Sequence, residues 1–292
     1  MVGTILVTGA TGTVASELVK QLSSDASRFN IKAGVHSIEN ANKVQQYDRV
    51  KAVKIDYDKL EGLEPAFRDV DKIFLLTHPS PKTVEHESNL VTEAKKSGIK
   101  HIVKQSIMGA DSGADVEAMR LHRQTEKLIE ESGIPYTFLR PNEFMQGFIN
   151  FQGATIKSNN AFYIPAEDAK VSFVDVRDIA AVAVRALVDG DKHYNRTYII
   201  TGPEALSYHQ AADILSNTAG KKIDYVNVSD EEARGGMKEA GLDDWLINTI
   251  SDLYTVFRKG HASQVSSDVE EVTGRKATAF VEFAKDYADA FR

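Results

Sequence analysis

The chain contains no cysteine, which excludes disulfides, thiolate zinc centres and cysteine nucleophiles. It also lacks any apolar run near the roughly 18 residues that a bilayer span requires. Positive charge is not in excess: 35 Lys and Arg stand against 42 Asp and Glu, a net charge of −7 with no long basic run. Neither a nucleic-acid groove nor an anionic membrane surface is therefore expected as the main partner. The first strand-like run begins at Thr4 and leaves no room for a signal peptide, so a soluble, cytoplasmic protein is expected. The sequon Asn195-Arg196-Thr197 then carries no glycan expectation. What is present is an ordinary soluble balance, 42% hydrophobic and 26% charged. The length of 292 residues fits one large α/β domain or a domain with an added lobe.

Thr4 to Leu22 is the most informative segment. Ile5, Leu6 and Val7 form a short apolar run suited to a buried parallel strand. Gly9 and Gly12 bracket a tight turn, after which Val14, Leu18, Val19 and Leu22 recur at helical spacing. Strand, glycine turn and helix in this order make a phosphate cradle. The glycines admit a pyrophosphate to the backbone, and the helix start offers free N–H donors and the positive dipole end. Gly9, Thr11, Gly12, Thr13 and Val14 are the cradle residues. The spacing Gly9-x-x-Gly12-x-x-Ala15 is looser than the full dinucleotide fingerprint, and an ordinary βα turn is the alternative.

Strand-like and helix-like segments then alternate. Strands are expected at 31–35, 50–55, 73–77, 101–105 and 136–139, with helices at 60–67, 84–96 and 116–131. Such alternation predicts a doubly wound parallel sheet with helices on both faces, and ligands at the C-terminal strand ends near the reversal of strand order. Beyond Pro141 the pattern shortens. Strands are expected at 161–164, 171–173, 198–201 and 223–228, and a helix at 176–188. Ser207 with Gln210, and Ser229 with Glu232, have capping-box spacing. Trp245, Thr249, Ile250, Leu253, Tyr254 and Phe257 follow at helical spacing, as a core stripe or a lid. The expected division is a nucleotide-binding domain at 1–150 and a smaller α/β lobe at 151–292, with segments returning to the main sheet.

Four motifs in order carry a family resemblance over nearly the whole chain. Val7-Thr8-Gly9-Ala10-Thr11-Gly12 resembles the start of the atypical short-chain dehydrogenase/reductases, in particular their NmrA-like branch. The stretch Ser132 to Pro141, the segment Phe173 to Ala180, and Val272-Thr273-Gly274-Arg275 followed by Phe280 to Phe283 resemble later signatures of that branch. The resemblance implies a Rossmann-like fold and an NADP(H) cofactor. Within the branch the chain is similar to quinone oxidoreductases and triphenylmethane reductases, although the branch also holds regulators that bind the nucleotide without known turnover.

Residues after each strand are the site candidates. No carboxylate closes the second strand to bind a ribose 2′-hydroxyl; His36, Ser37 and Lys43 stand there instead and suit a 2′-phosphate, with Glu39 an unfavourable neighbour unless it faces away. His36 occupies a place where the family often carries Arg. Asp56 and Tyr57 follow the third strand, where the family contacts adenine, with a capping role as the alternative for Asp56. Thr77 and His78 follow the fourth strand, and His78 is also a proton-donor candidate. Ser106 ends the fifth strand, where the wider superfamily bonds a substrate carbonyl, with Met108 as an apolar wall. The next helix would normally present Tyr-x-x-x-Lys. Counting back four residues from Glu126 places His122 at the lysine position and Ala118 at the tyrosine position, so the usual proton relay is absent; His122 remains a catalytic-site candidate as a ribose contact, with a surface-facing helix residue as the alternative.

After the sixth strand come Pro141, Asn142, Glu143 and Phe144. The resemblance sets this turn beside the nicotinamide, where Asn142 or Glu143 is a candidate for the carboxamide. Phe144, Met145, Phe148 and Trp245 are candidates for a flat substrate wall, with plain core packing as the alternative for Phe148. Asp175 and Asp178 read as helix caps. No metal site is expected. Without a positioned acid, a quinone, a conjugated cation or an iminium is a better hydride acceptor than a ketone. The expected function is NADPH-dependent hydride transfer to such an aromatic or conjugated small molecule, with the nucleotide held between the strand ends and the lobe. The alternative is a nucleotide-sensing regulator. A homodimer is left open.

Overall fold

The computed structural model describes residues 2–26, 29–113 and 116–292. Two compact units divide it. Met1–Ala114, Met119–Arg140 and Ile179–Tyr198 form the first; Asp115–Ala118, Pro141–Asp178 and Ile199–Arg292 form the second. The expected boundary at 150 thus lies inside the second unit, and the chain passes from one unit to the other at Pro141.

The strands are β1 Thr4–Val7, β2 Asn30–Val35, β3 Val50–Lys54, β4 Lys72–Leu75, β5 His101–Gln105, β6 Tyr136–Pro141, β7 Ala161–Ile164, β8 Lys170–Val171, β9 Arg196–Ile200, β10 Leu206–Ser207 and β11 Asp224–Asn227. The main sheet runs β3-β2-β1-β4-β5-β6-β9, and every pairing from β3 through β6 is parallel. Its order reverses between β1 and β4, which creates the crevice that α/β sheets use for ligands. β1 and β4 are central because Ile5, Leu6, Val7, Ile73, Phe74 and Leu75 are wholly buried. Such uninterrupted apolar runs need cover on both faces. Leu6, Phe67, Ile102, Ile129 and Phe138 belong to one core cluster against this sheet.

Gly34 permits the tight pairing around β1: a Cβ there would stand 3.1 Å from the Val7 carbonyl oxygen and closer still to Ile55. The expected helix 60–67 splits into a 3-10 turn, Leu60–Gly62, and a single helical turn, Glu64–Phe67. Pro65 explains the break, since it lacks the N–H needed to continue the ladder but suits a first turn. Helix Glu117–Ser132 buries Leu121, Thr125 and Ile129 on one stripe, the pattern of a helix lying on a sheet.

In the second unit, β7 pairs with β11 and β8 with β10. Its core is aromatic. The Phe148 ring meets Phe162, Phe173 and Phe280 edge-on, with centroids 5.3, 5.4 and 5.1 Å away, the arrangement that opposes ring edge to ring face. Both expected capping boxes, Ser207 with Gln210 and Ser229 with Glu232, are formed.

Candidate functional site

The turn after β1 is built around Thr8 and Gly9. Thr8 Oγ1 accepts the Leu76 N–H at 2.8 Å and lies 2.8 Å from the Leu76 carbonyl, tying the ends of β1 and β4 together. Gly9 has φ +60°, and a Cβ there would come within 3.0 Å of the same carbonyl. Only glycine accepts both conditions cheaply. The Gly12 N–H closes the turn on Gly9 O at 2.8 Å. Gly12 then caps helix Thr13–Ser24 with no side chain. The first helical bond runs from the Ser16 N–H to Gly12 O. The N–H groups of Thr13, Val14 and Ala15 therefore open outward without helical partners. No acidic residue lies in this first turn. Thr11, Gly12 and Thr13 are exposed while the Val14 side chain is buried, so Val14 offers only its backbone. Bare N–H donors, a dipole end and no competing side chain fit a pyrophosphate.

Around this cradle the flanking candidates divide. His36 and Lys43 are exposed and Ser37 is half-buried; Lys43 lies on the one-turn helix Asn42–Gln45, and no acidic residue pairs with it among the described residues. Asp56 accepts the Asp58 N–H at 3.2 Å and faces Lys59 at 3.5 Å, which makes it a turn former. Tyr57 Oη accepts the Gly9 N–H at 3.0 Å, and the Tyr57 carbonyl accepts from Asn89. Tyr57 thus braces the cradle from behind. Burial pushes its phenol above the ordinary range, so it stays neutral. His78 is exposed on the loop after β4.

At the ends of β4 and β5 lies a buried polar cluster that sequence reading missed. Lys104, on β5, has no solvent exposure, and Glu87 has almost none. Lys104 Nζ is 2.8 Å from Glu87 Oε1, 2.6 Å from the Gln105 carbonyl and 3.4 Å from His122 Nδ1. Thr77 donates its hydroxyl to the same Glu87 oxygen at 3.0 Å. Glu87 Oε2 and Gln105 Oε1 are buried without partners. Burial, and then the Lys104 charge, hold the His122 imidazole well below its ordinary range, so it is neutral. A lysine near a strand end reads in sequence as a solvated residue, and only helix Thr83–Lys96 laying Glu87 against it explains its burial.

Beside this cluster, Ser106 is buried with its hydroxyl bearing on the Glu126 carboxylate, and Met108 is buried as well. Glu126 is paired bidentately by Arg140 at 2.9 and 2.8 Å and by Arg123 at 3.0 Å. Burial raises the Glu126 carboxyl, but Arg140, the Ser106 hydroxyl and Arg123 together outweigh it and hold the acid ionised. Glu126 and Arg140 fix helix Glu117–Ser132 to β6.

In the second unit several candidates turn out to be structural. Pro141 is buried at the end of β6. Asn142 spends its amide nitrogen on Ser172 Oγ and the Ala262 carbonyl, both at 2.7 Å. Met145 and Phe148 lie in the core, 1% and 3% exposed. Phe148 packs there against Phe162, Phe173 and Phe280. Phe144 bridges Val174 through its backbone and is half-buried. Trp245 is half-buried on helix Asp244–Arg258, its indole N–H enclosed without a partner. Asp175 and Asp178 are wholly buried: Asp175 caps helix Val176–Val188 as expected, accepting the Arg177 N–H at 2.8 Å, and also holds Gln146 and the Arg177 guanidinium, while Asp178 accepts from Thr278. Glu143 differs from its neighbours: burial pushes its carboxyl up to about 7. It also bears on the Tyr208 and Tyr254 phenols, which burial raises first and its charge second.

A parallel sheet that reverses at β1/β4, with an uncapped helix mouth opening on a glycine turn there, defines a Rossmann-type nucleotide-binding protein. The chain belongs to the NmrA-like family, whose model matches residues 1–289. It is 36% identical over 287 residues to the NAD(P)H azoreductase of Xenophilus azovorans, covering 98% of this chain and 99% of that one. The triphenylmethane reductase of Citrobacter sp., solved as a complex with NADP(H), superposes with a TM-score of 0.85 at 28% identity, covering 98% and 99%. NmrA, a negative transcriptional regulator solved with NADP, has a TM-score of 0.79 at 16% identity, covering 99% and 96%; that likeness is one of fold.

Proposed function

We propose that the chain is an NADPH-dependent oxidoreductase that delivers hydride to an electron-poor, conjugated acceptor: a quinone, a delocalised cation, an iminium or an azo compound. The observation that carries this reading is the bare cradle at the sheet's switch point, in a chain that resembles an NAD(P)H azoreductase over nearly its full length. Residues Gly9 to Val14 hold the pyrophosphate by backbone N–H groups. His36, Ser37 and Lys43 receive a 2′-phosphate, and with His36 rather than a carboxylate directly after β2 the usual selection for a free ribose hydroxyl is missing. His122 donates to the nicotinamide ribose. Bound NADPH supplies a hydride, two electrons and one proton equivalent, to the acceptor.

The acceptor class follows from what the helix lacks. The position one turn ahead of His122 is Ala118, so no phenol stands ready to protonate an alkoxide. A neutral His122 with a buried ammonium beside it is a poor acid at neutral pH. An acceptor whose product anion is delocalised, or whose starting charge is positive, needs no such acid. A quinone becomes a hydroquinone anion and takes its proton from water; an azo bond becomes a hydrazine in the same way. The chain then acts chiefly by alignment and exclusion of water.

The test is NADPH oxidation against a small quinone, a triarylmethane cation, a cyclic iminium, an aromatic azo compound and a simple aliphatic ketone. The ketone should be much the slowest. Efficient ketone reduction with an acid limb that vanishes in His122→Ala would overturn the reading. No oxidation with any acceptor, despite tight NADPH binding, would replace it with nucleotide sensing.

A further inference from the structure

We propose that Lys104 is a positioning residue for His122: by donating to Nδ1 it holds the ring as the neutral tautomer that carries its proton on Nε2. The argument rests on hydrogen accounting. A lysine ammonium has three N–H donors and no acceptor. Its three near neighbours here are Glu87 Oε1 at 2.8 Å, the Gln105 carbonyl at 2.6 Å and His122 Nδ1 at 3.4 Å. Two of these can only accept. The contact with His122 is therefore an N–H from Lys104 toward Nδ1, which must present its lone pair, and the ring proton is left on Nε2.

Among the described residues, the charged groups around the ring are already committed elsewhere. From β5 the charged neighbour is Lys104. From helix Thr83–Lys96 it is Glu87, which is committed to Lys104 and to the Thr77 hydroxyl. On the ring's own helix, Glu126 is committed to Arg140 and Arg123. Burial and the Lys104 charge both disfavour the imidazolium. Glu87, 2.8 Å from the buried ammonium, balances its charge within the cluster. The outcome is a single remaining ring donor, Nε2–H, on the nitrogen that does not face Lys104. A buried lysine on a strand here sets the state of the side chain that occupies the usual lysine place on the helix. The consequence for nucleotide binding rests on the reading of His122 given above; the tautomer does not.

Long-range 15N–1H correlation spectra of the whole protein, with the His122 signals assigned by their loss in His122→Gln, test this directly. The unaltered protein should show His122 as the unprotonated Nε2–H form at pH 7. Lys104→Met removes the donor but strands Glu87, so Lys104→Met/Glu87→Gln is the second variant, removing both charges together. In whichever variant folds, the His122 signals should move to a mixture of tautomers, and the titration midpoint should rise by at least one pH unit. KM for NADPH should rise severalfold while kcat with a quinone changes less. An Nδ1–H form or an imidazolium in the unaltered protein at pH 7, or unchanged His122 spectra in the double variant, would overturn the proposal. Altered spectra with unchanged NADPH affinity would uphold it and instead refute the placement of His122 against the nucleotide.

Discussion

Tyr57 Oη accepts the Gly9 N–H at 3.0 Å, so a phenol following β3 holds the glycine turn that follows β1. This bond accounts for a residue that sequence reading assigned to the nucleotide. The aromatic ring packs against the sheet's core cluster, and its hydroxyl reaches the one N–H that the left-handed Gly9 turns away from the strand. Tyr57→Phe keeps the ring and leaves that N–H without its partner. The cost should be about 1 kcal/mol, the lower end for a lost partner because the site is not fully buried. The thermal midpoint should fall by a few degrees, and NADPH affinity should fall with it. A variant with normal affinity and normal melting would show that the turn holds itself.

The two cradle glycines should fail in different ways. Gly9 needs its positive φ and has a backbone carbonyl 3.0 Å from any Cβ, so Gly9→Ala should lose about 1–2 kcal/mol of stability from the backbone alone. Gly12 has φ −73° and ψ 165°, which any residue adopts, and its added Cβ would meet only Gly9 O at 3.2 Å. Gly12→Val should therefore fold nearly as well but lose NADPH binding, because the side chain takes the pyrophosphate's space. Calorimetric titration beside thermal melting separates the two. Equal nucleotide affinity in Gly12→Val would remove the cradle from its assigned role.

Much of this was legible because short range decides it. The runs at 101–105, 161–164 and 176–188 form a strand, a strand and a helix with those bounds, and glycine and serine punctuation marks the turns and caps. The register that places His122 opposite the usual lysine came from counting along one helix. What sequence did not reveal depends on which residues meet across elements. Lys104 and Glu87 are far apart in sequence and individually look solvated; together they bury a charge pair at 2.8 Å. Met145 and Phe148 have the composition of a substrate wall, but the second unit needed them for its own core. Composition cannot distinguish those two uses of an aromatic residue, since both bury the same surface.

Cofactor choice should rest on Lys43. It is exposed, on a one-turn helix after β2, without an acidic partner among the described residues. A charge-assisted bond to a 2′-phosphate is worth roughly 1.5–3 kcal/mol. NADPH should therefore bind more tightly than NADH, and Lys43→Ala should narrow the gap by about tenfold or more while NADH affinity stays unchanged. Raising the salt concentration should narrow the gap in the same direction, because the pair is open to solvent. Titrations of both nucleotides decide it, and equal affinities in the unaltered protein would contradict the assignment.

Glu143 should give the protein a pH-dependent weakness. Its carboxyl is enclosed near the Tyr208 and Tyr254 phenols, and burial raises it from 4.5 to about 7. For an acid raised on folding the sign is fixed. Below pH 4.5 both folded and unfolded chains hold the proton, and the residue costs nothing. Between 4.5 and about 7 the unfolded chain releases a proton that the folded chain keeps, so stability falls as pH rises. Above that window the penalty is constant, at most about 3 kcal/mol. Glu143→Gln cannot ionise and should abolish this slope. Denaturant midpoints at pH 4, 5, 6, 7 and 8 should show the variant matching the unaltered protein at pH 4, exceeding it increasingly up to about pH 7, and keeping a nearly constant lead beyond. Parallel profiles across that range would mean that the Glu143 carboxyl keeps an ordinary affinity for its proton, and burial would then not govern its charge.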